Sequence, residues 1–359
     1  MESGEAVAGR TTVTLETDPR DTPRHPRRRT LLLGHEDAEE SLLRAYHSRR
    51  LHHAWLISGP RGIGKATLAY RFARFLLRHP NTSEAADTLY VDPEDPVFRR
   101  VAAGTHPDLF VVERDFDLRT GRLKSETGVD IARLATGFFS RSAAEGGWRI
   151  CIVDPADDLN LESANAFLKV LEEPPRQSIF LLVSNRPGML LRTIRSRCVR
   201  LSVGPLEQQQ VIEVLRNVLV ANAPSGQDLA LAAELSGGSP GRALELLGSG
   251  GARTFAEFHG IIADLPRLDR RQALALADKL QSRMAEEDFG IFCQLLTGWI
   301  AERARGEALS ATSAAQRWVE VYTELSHSIR QTNALNLDRR QLVMHALEAL
   351  QAAERHSQN

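Results

Sequence analysis

Short apolar runs alternate with amphipathic stretches over residues 31–205, and this pattern predicts strands and helices in turn. Five short runs are predicted to form strands: 53–58, 108–112, 148–153 and 179–183 are largely apolar, as expected of buried parallel strands, and 199–203 completes the series. The intervening stretches carry apolar side chains at helical spacing: from 65 onward, 129–139, 163–171 and 190–194. Strands that alternate with helices predict an α/β fold, with a mostly parallel sheet covered on both faces.

Beyond residue 205 the apolar positions follow helical spacing alone. Residues 206–247 predict a small helical domain. A glycine- and serine-rich stretch follows, which is typical of a flexible linker and sets its bounds at 248–254. Residues 255–359 predict a separate helical bundle. The chain is therefore expected to hold three structured regions in series.

Composition and charge narrow the class of protein. The 359 residues are sufficient for two or three domains, and 25% charged with 42% hydrophobic residues is ordinary for a globular protein. A net charge of −1 gives no overall signature of a protein that binds DNA by neutralising many phosphates. Residues 1–30 contain no apolar segment of the secretory kind, so we expect a cytoplasmic protein with a disordered polar and basic tail.

A glycine-rich loop carries the clearest chemical signal. The segment Gly59-Pro60-Arg61-Gly62-Ile63-Gly64-Lys65 matches the G-x-x-x-x-G-K part of a phosphate-binding loop, and it lies between a predicted strand and a predicted helix. In such loops the glycines let backbone N–H groups surround a phosphate, and the lysine adds positive charge. The sequence therefore predicts a P-loop fold.

Two positions depart from the pattern of an active ATPase. The residue after the lysine is normally Ser or Thr, whose hydroxyl binds Mg²⁺, but here it is Ala66; Thr67 is rotated by roughly 100° along the helix. After the strand that ends in Asp154, Pro155 stands where a glutamate would polarise the attacking water. We therefore expect no appreciable hydrolysis; weak binding of ATP or ADP and a purely structural loop remain equal alternatives.

Further motifs resemble the AAA+ clamp-loader subunits of bacterial DNA polymerase III, and within them the delta-prime branch. These motifs are Leu168-Lys169-Val170-Leu171-Glu172-Glu173-Pro174-Pro175, Ser196-Arg197-Cys198, His106-Pro107-Asp108 and Gly237-Gly238-Ser239-Pro240-Gly241-Arg242. The resemblance covers about residues 31–250. The C-terminal bundle resembles the oligomerisation collar of the family only in class and position.

The resemblance implies a function. It implies a RecA-like domain, a helical lid and a collar that joins subunits into a pentameric ring, which opens a sliding clamp and places it on primed DNA. The implied partners are the motor (gamma/tau) and delta subunits. Arg197, flanked by Ser196 and Cys198, would reach ATP held by a neighbouring motor subunit, where an arginine supplied in trans stabilises the transferring phosphoryl group. Arg242 would be a second sensor, or else form a salt bridge within the lid.

The same resemblance raises the question of zinc. Many delta-prime subunits carry a four-cysteine zinc module after the phosphate-loop helix, but residues 79–106, which predict a long surface excursion, contain no cysteine. Cys151, Cys198 and Cys293 are widely separated and form no C-x-x-C pair. We therefore predict that the chain binds no zinc and has no metal ligands.

Two alternative functions are open at this point. An active motor subunit of the same loader would require the magnesium hydroxyl and catalytic glutamate that Ala66 and Pro155 replace. A small-molecule P-loop kinase would require an intact metal site and would not account for the Ser196-Arg197-Cys198 motif.

Overall fold

A computed structural model of the chain describes residues 22, 24–81, 86–113, 116–117, 122–123, 129–219, 224–248, 251–282, 285–309 and 314–357. The chain divides into two compact units, Met1–Gln210 and Val211–Asn359, and each is described by itself.

The first unit contains a five-stranded parallel sheet. Its strands are β1 (Ala54–Ser58), β2 (Leu109–Val112), β5 (Arg149–Val153), β6 (Ser178–Ser184) and β7 (Val199–Ser202). A short antiparallel pair, β3 (Phe116–Asp117) and β4 (Arg122–Leu123), lies outside this sheet. The spatial order is β2-β5-β6-β1-β7, with every neighbouring pair parallel. The parallel sheet that the apolar runs predicted is therefore confirmed.

The central strands β1, β5 and β6 are buried along their whole length because helices cover both faces of the sheet. One face packs against α4 (Val129–Phe139), α5 (Leu161–Glu172) and α6 (Arg192–Arg195). Phe180 of β6 anchors this core, with ring centroids 4.5 Å from Phe139 and 5.9 Å from Phe167. The remaining helices of the sheet-containing part are α1 (Glu36–His47), α2 (Lys65–Arg78) and α3 (Pro96–Ala103).

Helix α3 corrects the expectation of an irregular excursion over residues 79–106. The side chain of Asp95 caps this helix by accepting a hydrogen bond from the backbone N–H of Val97, at 2.8 Å. Pro96 occupies the first helical position, where a missing N–H costs nothing, and Gly104 ends the helix in the left-handed conformation with φ of +72°.

Residues 24–30 depart from the disordered polar and basic tail that the sequence predicted, because part of this segment is bound to α2. Arg74 of α2, only 2% exposed, donates from Nη1 to the carbonyl of Arg27 at 2.9 Å and from Nη2 to the carbonyl of Arg29 at 2.7 Å. Arg71 donates to the carbonyl of Thr30 at 2.6 Å. The segment is held through its backbone, so the polarity of its side chains did not reveal the contact. Residues 1–21 of the predicted tail lie outside the described residues.

The second unit is helical where it is described. Its helices are α7 (Gln208–Val218, which begins in the first unit), α8 (Gly226–Leu235), α9 (Pro240–Gly248), α10 (Gly251–Ala263), α11 (Arg270–Gln281), α12 (Glu286–Leu309), α13 (Ala314–Leu335) and α14 (Arg339–Ser357). The linker predicted at 248–254 is corrected at residues 251–254, which begin α10, and residues 249–250 lie outside the described residues. Across the described part of the chain, no helix combines the length and apolar character needed to cross a bilayer.

Candidate nucleotide site and exposed arginine

The glycine-rich loop joins β1 to α2, at the carboxyl edge of the sheet. A side chain at Gly59 would clash with the backbone carbonyl oxygen of Val203. Gly62 and Gly64 have φ of +77° and +107°, a region that favours glycine. A Cβ at Gly64, the N-cap of α2, would also lie 3.2 Å from a methyl carbon of Leu32. The predicted loop glycines Gly59, Gly62 and Gly64 thus form the tight turn that a phosphate cradle requires.

The lysine of the loop is directed back onto the protein. Lys65 is 4% exposed, and its Nζ donates to the carbonyl of Pro60 at 2.6 Å and to Oδ1 of Asn185 at 2.8 Å. Burial lowers the pKa of Lys65 to about 8, although Asp154 and Asp157 favour its charged form. A bound phosphate would therefore have to draw the Lys65 ammonium away from Pro60 and Asn185.

Asp154 lies at the end of β5, beside the loop. Burial, followed by the nearby carboxylate of Glu113, raises the pKa of Asp154 to about 7, while Lys65 and His25 act in the opposite direction. A divalent cation binds the ionised carboxylate, so metal binding at Asp154 would have to displace this proton.

Glu113 is a residue that sequence reasoning missed. It follows β2, and Val112 is in register with Val153, so Glu113 and Asp154 leave adjacent strands at the same edge. Its Oε1 accepts a hydrogen bond from the hydroxyl of Tyr70 at 2.8 Å and lies 3.5 Å from Nε2 of His25. The position of an acid directly after a predicted strand was the available signal.

The residues present fit a phosphate better than a phosphate with its metal ion. The loop backbone has the turn of a phosphate cradle, but Lys65 is bonded to Pro60 and Asn185, Ala66 has no side-chain oxygen, and Pro155 follows the aspartate. Thr67 lies in the first turn of α2, one position beyond the metal-binding one. Among the described residues no group of three His, Cys, Asp or Glu side chains is arranged to hold a metal ion.

Asp157 has a positioning role at the same edge. Its carboxylate accepts hydrogen bonds from the Ser184 hydroxyl and from the backbone N–H of Asn185, each at 2.6 Å. It therefore fixes the turn after β6 that presents Asn185 to Lys65.

Arg197 lies near the amino ends of the parallel strands, opposite the phosphate loop. It precedes β7, and β7 runs parallel to β1 with Val199 beside Trp55 and Ser202 beside Ser58. The phosphate loop begins directly after Ser58, at the carboxyl end of β1, whereas Arg197 precedes the amino end of β7. The length of β7 separates these two ends of the sheet by about 10 Å, at about 3.3 Å per residue.

The guanidinium of Arg197 is held in place but remains partly exposed. Nη1 donates to the carbonyl of Thr193 at 2.8 Å and to the Ser196 hydroxyl at 3.4 Å, and Nη2 donates to Oε1 of Glu172 at 2.7 Å. The side chain of Arg197 is 34% exposed.

Comparison with known proteins identifies the family. Residues 34–207 match the family model described as DNA polymerase III, delta subunit. The chain is 33% identical over 264 residues to DNA polymerase III subunit delta' of Pseudomonas aeruginosa, covering 73% of this chain and 72% of the relative. The chain belongs to the delta-prime family of DNA polymerase III subunits. The parallel sheet with a glycine-rich loop between β1 and α2 agrees with this membership.

Other relatives of this delta-prime family member show a wider kinship. It is 36% identical over 210 residues to subunit delta' of Escherichia coli, covering 58% of each chain. It is also 31% identical over 258 residues to subunit tau of Escherichia coli, covering 69% of this chain but 37% of that relative.

Two other residues of the predicted site are Cys198 and Arg242. Cys198 packs against the core beneath α4 and α5, and its Sγ contacts the Ile194 carbonyl at 3.2 Å. Burial raises its pKa to about 12, which keeps the thiol protonated and favours packing over reactivity. Arg242 lies on α9 in the second unit, where a Cβ at Gly298 would be 3.4 Å from its Nη2. Burial lowers the pKa of Arg242, while Glu302 and Glu245 oppose this shift.

Proposed function

We propose that this delta-prime family member is a clamp-loader subunit that hydrolyses no appreciable ATP itself and supplies Arg197 to ATP held by a neighbouring motor subunit. Its partners in this role are the motor (gamma/tau) and delta subunits, and the assembled complex places a sliding clamp on primed DNA in the cytoplasm. Nucleotide binding to its own loop is weak.

The absence of intrinsic hydrolysis follows from the chemistry of the loop. Phosphoryl transfer in P-loop proteins depends on a metal ion held by a hydroxyl and an acidic residue, and on a group that positions the attacking water. Ala66 lacks the hydroxyl that would hold the metal ion, and Pro155 lacks a group that could position the water. The anchoring of Lys65 on Pro60 and Asn185 further weakens the attraction of the loop for phosphate.

The position of Arg197 is the observation that supports action in trans. It lies beyond the amino end of β7, whereas its own phosphate loop follows the carboxyl end of β1. The residue with which its guanidinium pairs, Glu172, also precedes a parallel strand, β6. An arginine on that side has no access to a nucleotide in its own loop, so any phosphate that it contacts belongs to another subunit.

Reconstitution provides the test. The purified chain alone should show no ATP hydrolysis above background, and its addition to motor and delta subunits, clamp and primed DNA should raise turnover. Arg197→Ala should reduce that stimulation by at least about tenfold, since trans arginines contribute roughly 10³ to 10⁵ in rate elsewhere. Arg197→Lys should also lose most of it, because lysine keeps the charge but not the planar donor fork.

Arg192→Ala is the matched control, because Arg192 is an exposed arginine of α6, close in sequence to Arg197. It should leave stimulation unchanged. Size-exclusion chromatography should show that all three variants still assemble. Full stimulation by Arg197→Ala in an assembled complex would refute the assignment of Arg197.

A further inference from the structure

Glu172 occupies an unfavourable place for an acidic side chain. It is the last residue of α5, where the helix dipole presents partial negative charge, and it is followed by a second glutamate and two prolines. A carboxylate at a helix C-terminus is destabilising because it lies beside this negative partial charge. The stability of α5 therefore does not account for the glutamate.

The contact with Arg197 offers a different reason for Glu172. Its Oε1 accepts from Nη2 of Arg197 at 2.7 Å, across 25 positions of sequence that include β6. Its neighbour Glu173 is also an exposed glutamate, but it makes no ion pair with Arg197. Of the two glutamates in the motif, Glu172 alone is directed at the arginine.

The pattern of contacts leaves part of the guanidinium available. A guanidinium has five N–H groups, and the contacts with Thr193, Ser196 and Glu172 use three of them. No acceptor for the other two is found among the described residues. A guanidinium N–H group that is left free can donate a charge-assisted hydrogen bond to a phosphate oxygen.

We propose that Glu172 is a positioning residue for Arg197: its carboxylate fixes one edge of the guanidinium so that the free donors face a neighbouring subunit. This inference rests on the proposed function. A long arginine side chain loses much of its rotamer entropy when it is immobilised. With Glu172 in place, part of that ordering precedes the encounter with nucleotide.

The test compares Glu172→Gln with the matched control Glu173→Gln in the reconstituted loader. An exposed ion pair is worth up to about 1 kcal/mol, which corresponds to a fall in maximal stimulated turnover of about two- to fivefold for Glu172→Gln. Glu173→Gln should match the wild type. Glu172→Asp, which retains the carboxylate, should recover part of the loss. The thermal unfolding midpoint of the isolated chain should not fall with either glutamine variant.

A double-variant cycle separates positioning from a general structural effect. Combined with Arg197→Ala, Glu172→Gln should cause no further loss of turnover, because the group it positions is gone. If Glu172→Gln equals Glu173→Gln while Arg197→Ala is inactive, Glu172 has no positioning role and the proposed function stands. If Glu172→Gln raises turnover, the carboxylate restrains the arginine and the inference is overturned. If Arg197→Ala is fully active, both proposals fail together.

Discussion

Asp154 yields a prediction about stability whose sign can be worked from the structure. Burial beside Glu113 raises its pKa from an ordinary 3.8 to about 7 in the folded chain. The folded state therefore binds this proton more tightly than the unfolded state, so Asp154 contributes stability that is present below pH 3.8 and is lost as the pH rises through 7. Asp154→Asn removes this titration.

The magnitude follows from about 1.4 kcal/mol per pKa unit. Between pH 4.5 and pH 7 the wild type loses about 3 kcal/mol relative to Asp154→Asn. Urea unfolding at both pH values measures the difference, with the exposed Glu162→Gln of α5 as the control. An equal effect of Asp154→Asn at pH 4.5 and pH 7 would refute the reasoning.

Three other predictions concern the first unit. Arg74→Met should destabilise the chain by about 2 kcal/mol and speed amide exchange over residues 27–30, because it removes two charged hydrogen bonds to backbone carbonyls; unchanged exchange would contradict this contact. Gly59→Ala should lower the free energy of unfolding by about 1–3 kcal/mol because its Cβ meets the carbonyl of Val203, whereas Gly188→Ala, with open space around it, should change it little. Elemental analysis of the purified chain should find no stoichiometric zinc, and stoichiometric zinc would overturn the inference drawn from the absence of cysteine in 79–106.

Local sequence was sufficient to predict the sheet and the phosphate loop. Strands β1, β2, β5 and β6 are largely apolar runs, and the loop is a contiguous motif between a strand and a helix, so these predictions needed no knowledge of distant contacts. The N-cap Asp95 and the following Pro96 also carried a local signal for α3, but the polar composition of the region obscured it.

The electrostatics of the site depended on the order of the strands. Lys65 meets Asn185 across 120 positions, and Glu113 meets Asp154 only because β2 lies beside β5. The partner of Arg197 was likewise beyond local reasoning, although Glu172 belonged to a recognised motif. The contact of the N-terminal segment could not be predicted for another reason. Arg74 binds backbone carbonyl groups, which are present at every position and leave no pattern in the sequence.

The central claim is that this chain acts on a neighbour's nucleotide and not on its own. The most direct test compares Lys65→Met and Arg197→Ala in the same reconstituted loader, with ATP turnover measured in the presence of clamp and primed DNA. We expect Lys65→Met to retain most of the stimulated turnover and Arg197→Ala to lose at least about tenfold. Loss of turnover with Lys65→Met together with full turnover with Arg197→Ala would contradict it.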